Sequence, residues 1–179
     1  GSGTIVWDAR RRLAAGEIDI EKFIDLVASS STSVGHCSTM GTASSMNSLA
    51  EALGMTLTGG ASIPGPYRER GQNAYRTGLR IVDMVHENLR PSDVMTRDAF
   101  LNAIVTASAI GGSSNCPIHL AAISRHMGVE LSLDDWQEYG HEIPLLVNMQ
   151  PAGEYLGEDY HKVGGVPRVM LELKGAGKL

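Results

Sequence analysis

The sequence predicts a strongly helix-rich α/β chain, and three observations predict it. Apolar residues recur at helical spacing over most of residues 5–139. Only one short apolar run, Ile143 to Met149, has the composition of a buried strand. Glycine, proline and serine punctuate the chain often, yet no long linker or internal repeat divides it. Residues 1–179 are therefore read as a single partial domain, since so many helices for one strand suit a segment of a larger α/β domain better than a self-contained one.

Taken in order, Ile5 to Ala15 forms the first predicted helix and Gly16 stops it. Asp19 caps a second, with Phe23, Ile24 and Val27 on one face, and Ser29–Ser33 breaks that pattern. From Met40 the residues Ala43, Met46, Ala50 and Leu53 follow helical spacing up to Gly54, and a Gly/Pro/Ser-rich loop covers Thr58 to Pro66. The next helix is predicted over Gln72 to Leu89, with Leu79, Val82, Val85 and Leu89 inward and Pro91 as its terminator. Thr96 caps a helix carrying Phe100, Ala103, Ile104 and Ala107. Gly111-Gly112-Ser113-Ser114 ends it, and Asn115 caps another with Pro117 in its first turn and Gly128 at its close. Ser132 to Asp135 opens a short helix through Tyr139, and Pro167 starts a last one through Leu173.

Composition narrows the partners. A net charge of −5 argues against a nucleic-acid binder, which needs a basic face. No apolar run approaches the ~20 residues that span a bilayer, and Gly1-Ser2-Gly3-Thr4 lacks a signal-peptide pattern. Two cysteines 79 positions apart form no CxxC pair, so a reducing, cytoplasmic setting is expected. With only 5% aromatic residues, the core must come from Leu, Ile, Val, Met and Ala.

Residues 35–47, Gly35-His36-Cys37-Ser38-Thr39-Met40-Gly41-Thr42-Ala43-Ser44-Ser45-Met46-Asn47, bring a cysteine on a small-residue loop to the beginning of a helix. Free N–H groups and the positive dipole end favour a thiolate there, the form that binds iron. A lone cysteine so placed is either a cofactor ligand or a buried, inert thiol at a tight turn. The Gly111–Asn115 turn likewise reads either as an anion-binding helix start or as a plain helix–helix turn. His119 is either a ligand or a satisfied helix residue, and the other histidines lack zinc spacing. Glu130, Asp134 and Asp135 lack the pattern of a calcium loop. Arg10-Arg11-Arg12 and Arg68-Glu69-Arg70 read as solvated faces.

The cysteine element resembles the G-x-C-x-T-M-x-T-A-x-x-M signature of the dihydroxy-acid dehydratase and phosphogluconate dehydratase family, matching at Gly35, Cys37, Thr39, Met40, Thr42, Ala43 and Met46. Gly111-Gly112-Ser113-Ser114-Asn115 with His119-Leu120 is similar to a second family element. The Pro144–Asn148, Pro151–Tyr155, Glu158–His161 and Gly164–Pro167 stretches fit in order. Ser45 and Ser114 replace residues usual in the family, and Cys116-Pro117 stands where alanine and an aliphatic residue are common, so Cys116 is expected to be a core residue at a helix start. His36 and Gly41 at the variable positions look more like the sugar-acid branch.

The resemblance implies an internal piece of the family's larger α/β amino-terminal domain. It implies that Cys37 is one of three cysteines holding an iron–sulfur cluster, with Thr39, Met40, Ser113, Ser114 and Asn115 as possible site-lining residues. A magnesium ion, the other cysteines and the catalytic base would come from outside these residues. The expected parent is a hydro-lyase that turns a 2,3-dihydroxy or sugar acid into a 2-keto acid and forms a homo-oligomer. A branched dihydroxy acid and 6-phosphogluconate are the alternative substrates. This chain alone is expected neither to hold a stable cluster nor to be active. The rival reading is a standalone helical binding or scaffold domain without metal.

Overall fold

The computed structural model describes residues 3–30 and 34–179. The readings for Gly1-Ser2 and for Ser31-Thr32-Ser33 lie outside the described residues. Among those described, ten α-helices form: α1 (Gly3–Ala14), α2 (Ile20–Ser29), α3 (Thr42–Ala52), α4 (Arg68–His86), α5 (Pro91–Val94), α6 (Arg97–Ala109), α7 (Cys116–His126), α8 (Leu133–Asp135), α9 (Gly157–Lys162) and α10 (Gly165–Gly175). A π-helical turn, Trp136–Gly140, continues α8.

Helix α6 is the centre. Thr96 caps it by accepting the Ala99 N–H at 3.3 Å, and Phe100, Ala103, Ile104, Val105, Ala107 and Ala109 are all buried. A helix apolar on nearly every side must be enclosed. Helices α3, α7 and α10 and the π-helical turn enclose this one. Leu49, Leu120, Val166 and Leu173 from the surrounding helices complete the core. Helices α1 and α2 pack on each other, and Val6, Leu13, Phe23 and Val27 line a hollow on that pair. Asp19 caps α2 as expected, accepting the Lys22 N–H at 2.8 Å.

Several expectations are corrected. The α/β class is not met among the described residues, because Ile143–Met149 forms no strand. A strand needs a neighbour to complete its ladder. This segment finds only a single bridge between Met149 and Tyr155, made as Gln150 N–H donates to Tyr155 O at 2.9 Å and Tyr155 N–H donates to Asn148 O at 3.0 Å. Leu145 and Leu146 on that run stay exposed.

The buried stripe of α3 is Ser45, Ser48, Leu49 and Ala52, while Ala43 is exposed. Two buried serines, invisible to a purely apolar reading, rotate the helix. Helix α4 begins at Arg68 and spans about 28 Å, but Leu79, Val82 and Val85 face outward and none of its residues is buried. Nothing among the described residues covers that face. Pro91 starts α5 in addition to following α4, and α9 was not anticipated. Ile24 on α2 is exposed, unlike Phe23 and Val27.

Candidate functional site

Cys37 lies in the loop before α3, whose N-cap is Gly41. It precedes the helix and is not in its first turn. The thiol is free and exposed, with its sulfur 3.2 Å from Thr39 Oγ1. Backbone bonds fasten the loop at two points: Met40 N–H donates to Gln150 O at 2.7 Å and Gly157 N–H donates to Ser38 O at 2.6 Å. Met40 itself is buried in the core and acts as an anchor.

His36 supplies a third restraint. Its Nδ1–H donates to the Cys37 carbonyl at 2.8 Å, and Asn47 Nδ2 donates to Nε2 at 2.9 Å.

A cavity of about 310 Å³ opens beside this loop. Cys37, Ser62, Tyr67, Arg70 and Glu158 all contribute to its lining. The Tyr67 hydroxyl donates to Glu158 Oε1 at 2.5 Å, and Lys162 Nζ lies 3.1 Å from the same oxygen. These two partners hold the Glu158 carboxyl below its ordinary range, and the carboxylate in turn pushes the Tyr67 phenol up. Ser62 Oγ is 3.3 Å from His161 Nδ1. Arg70 donates a guanidinium N–H to the Ile63 carbonyl.

The loop that carries Ser62 is fixed by a buried carboxylate, since Glu51 accepts the N–H groups of Gly59 and of Ala61, the latter at 2.8 Å. Burial pushes the Glu51 carboxyl up, and the two backbone donors oppose it. Tyr160 is buried beside Ser48 with no well-formed hydrogen bond to its hydroxyl among the described residues, and burial pushes its pKa up to about 12.

The Gly111–Asn115 turn packs on the start of α3. Gly111 takes φ +63°, which favours glycine. Ser113 Oγ lies 3.0 Å from Thr42 Oγ1, and Ser113 N–H donates to Ser45 Oγ at 2.9 Å. Asn115 does not cap α7 with its side chain; its amide reaches across to Thr42 Oγ1 at 2.8 Å. The beginnings of α3 and α7 therefore meet. None of Ser113, Ser114 and Asn115 lines the cavity beside Cys37, and neither do Thr39 and Met40.

Cys116 is buried at the start of α7 next to Ser45, and burial pushes its thiol up. His119 and Ser114 are exposed. A larger cavity of about 640 Å³ lies between residues 146–149 and α9–α10, with Leu146, Val147, Val163 and Val169 in its lining. It lacks Cys37 and follows the unpaired extended segment, so the candidate site is taken at the smaller cavity.

Ser62, Tyr67 and Arg70 are not singled out as cavity residues by the sequence, where His36, Asn47 and Glu158 appear only as members of motif stretches. Arg70 reads in the sequence as part of a solvated face, and only the tertiary fold brings residues 62–70 and 158 beside Cys37.

One cysteine presented on a loop of small residues suits a single ligand of a cluster shared with other segments. Among the described residues no group of three or more His, Cys, Asp or Glu side chains could hold a metal ion. No described helix is long and apolar enough to cross a membrane.

A family model described as "Dihydroxy-acid/6-phosphogluconate dehydratase N-terminal" matches residues 2–179. The chain is 58% identical over its whole length to a D-xylonate dehydratase of Caulobacter vibrioides, covering 30% of that protein. It is 50% identical, again over its whole length, to an L-arabinonate dehydratase of Rhizobium leguminosarum bv. trifolii, covering 31% of it. A dihydroxy-acid dehydratase of Caldanaerobacter subterraneus subsp. tengcongensis is 41% identical over 97% of the chain, with 31% of its own length covered. The chain thus spans about 30% of the length of the curated relatives it matches.

Proposed function

The chain belongs to the dihydroxy-acid/6-phosphogluconate dehydratase N-terminal family, and on that premise we propose that it is part of a hydro-lyase that dehydrates a sugar acid to a 2-keto acid, supplying Cys37 as one ligand of an iron–sulfur cluster. The observation that carries this reading is the exposed Cys37 sulfur on a pinned loop beside a cavity that Ser62, Tyr67, Arg70 and Glu158 help to line. When bound, such a cluster supplies a Lewis acid for a departing hydroxyl. A magnesium ion belongs to the same reading, with ligands outside these residues.

The chain's own residues do the positioning. His36 and Asn47 orient the backbone at Cys37, and Met40 anchors the loop in the core. Glu51 holds the opposite loop through its backbone N–H groups. A sugar acid is favoured over a branched dihydroxy acid by the names of the two most similar relatives above and by the polar side chains around the cavity. The reading also includes a cytoplasmic setting and a homo-oligomer. The uncovered apolar face of α4 supports association with further protein surface.

The test is anaerobic reconstitution of the full-length dehydratase carrying this segment, read by visible absorption and by 2-keto acid formation from a panel of sugar and branched acids. Cys37→Ser is expected to lose the cluster absorption together with turnover. A Cys37→Ser protein that retains a full complement of iron and sulfide would refute the ligand role. The isolated 179-residue chain is expected to show neither a stoichiometric cluster nor turnover.

A further inference from the structure

The cavity beside Cys37 has a second set of residues, remote in sequence from the cysteine loop, whose individual roles the reading above leaves open. Its volume of about 310 Å³ is at the small end of sites for small molecules. Ser62, Tyr67, Arg70 and Glu158 bring to it a hydroxyl, a phenol, a guanidinium and a carboxylate. Ile63 and Met149 add apolar surface. A branched aliphatic tail would strip water from those polar groups without replacing the bonds that their remaining donors and acceptors make to it. A polyol tail would pair them, because each of its hydroxyls both donates and accepts, while its C–H faces lie on the apolar walls.

The polar groups are organised before any ligand arrives. Tyr67 and Lys162 both hold Glu158 through Oε1, and a carboxylate has capacity for further donors. Tyr67 also packs edge-on against His161, with ring centroids 5.7 Å apart, and His161 in turn meets Ser62. The Arg70 side chain is tied to Ile63 O. Three separate segments (the 61–67 loop, the start of α4 and α9) thus converge on one wall through side-chain bonds. That arrangement holds donors and acceptors in place for a ligand at little further ordering cost.

We propose that Tyr67 and Glu158, with Ser62 and Arg70, form the subsite that recognises the distal hydroxyls of the substrate's carbon chain and thereby selects sugar acids. This inference rests on the reading of the Cys37 loop as the reaction centre, but its test does not require turnover.

The probes are a 3-deoxy pentonate, which lacks the leaving hydroxyl, and 2-hydroxypentanoate, which has the same carbon chain without the distal hydroxyls. Their dissociation constants are measured by calorimetry on the full-length dehydratase and on its Tyr67→Phe and Glu158→Gln variants. Both changes are nearly isosteric, and Glu158 is exposed, so the fold is kept. The expected result is a preference of about tenfold or more for the hydroxylated acid, reduced about threefold to tenfold in at least one variant, the range for one hydrogen bond. Absence of the preference in the unaltered protein, or its full retention in both variants, overturns the subsite. Turnover of a reactive pentonate is scored separately: a protein that keeps the preference but forms no 2-keto acid refutes the hydro-lyase reading and leaves the subsite standing.

Discussion

Replacing Glu51 by glutamine tests how the wall of the candidate site is held. Glu51 is 8% exposed, and its two oxygens accept one backbone N–H each, from Gly59 and from Ala61. Glutamine retains one acceptor and turns an NH₂ group toward the other backbone N–H, so one bond is lost and two donors face each other. A buried donor left without a partner costs about 1–3 kcal/mol. Relief of the buried charge offsets part of this, which leaves an expected loss of about 1–2 kcal/mol at neutral pH, weighing the donor cost against the desolvation cost. Glu51→Ala removes both acceptors and is expected to cost more.

The pH dependence has a definite sign. Burial raises the folded-state pKa of Glu51 above the ordinary carboxylate range. Between the unfolded and folded pKa values the folded chain therefore binds more protons, and stability falls as pH rises through that window. Glutamine cannot titrate, so the advantage of the unaltered chain over Glu51→Gln is expected to be larger in acid and to shrink as pH rises. Urea-unfolding midpoints of the two proteins, compared at a series of pH values, measure it. Equal midpoints throughout, or a gap that widens as pH rises, would refute the reasoning.

Two further outcomes concern the frame around the site. Ser45→Ala removes the acceptor of the Ser113 N–H and the neighbour of the Cys116 thiol; a loss of about 1–3 kcal/mol is expected, read as a lower thermal midpoint, and an unchanged midpoint would count against the α3–α7 bond. Asp135, whose carboxyl is held down chiefly by Arg97 and also by the Ser132 N–H, contributes stability that is present above the unfolded carboxylate pKa and is lost as pH falls through the lower folded value. Asp135→Asn should flatten that acid limb, and an acid limb of undiminished slope would show that other carboxylates carry it.

The parts of the fold that were legible in the sequence are those governed by neighbours along the chain. Asp19 and Thr96 cap α2 and α6 because a side-chain oxygen reaches an N–H three residues on, a distance set by local geometry alone. Phe100, Ala103, Ile104 and Ala107 were read correctly as core because α6 is apolar enough to require enclosure whichever way it is turned. In α3 and α4 the apolar pattern was a weaker guide. Burial of Ser45 and Ser48 in α3 depends on partners at Ser113, Cys116 and Tyr160, which helical spacing cannot reveal. The stripe on α4 is real as a pattern, but nothing among the described residues covers it.

At the candidate site the same division holds. Cys37 could be singled out from Gly35 to Asn47 alone, because a cysteine among small residues before a helix is a local arrangement. Family membership was likewise carried by motifs in linear order, and the match over residues 2–179 bears it out. Only the tertiary structure decided that the Gly111–Asn115 turn braces α3 and leaves the cavity to Ser62, Tyr67, Arg70 and Glu158. It also decided that Ile143–Met149 remains an extended segment and not a strand. Propensity specifies a backbone conformation residue by residue, whereas a ladder, a buried hydroxyl or a binding wall exists only where a second segment arrives to complete the bond.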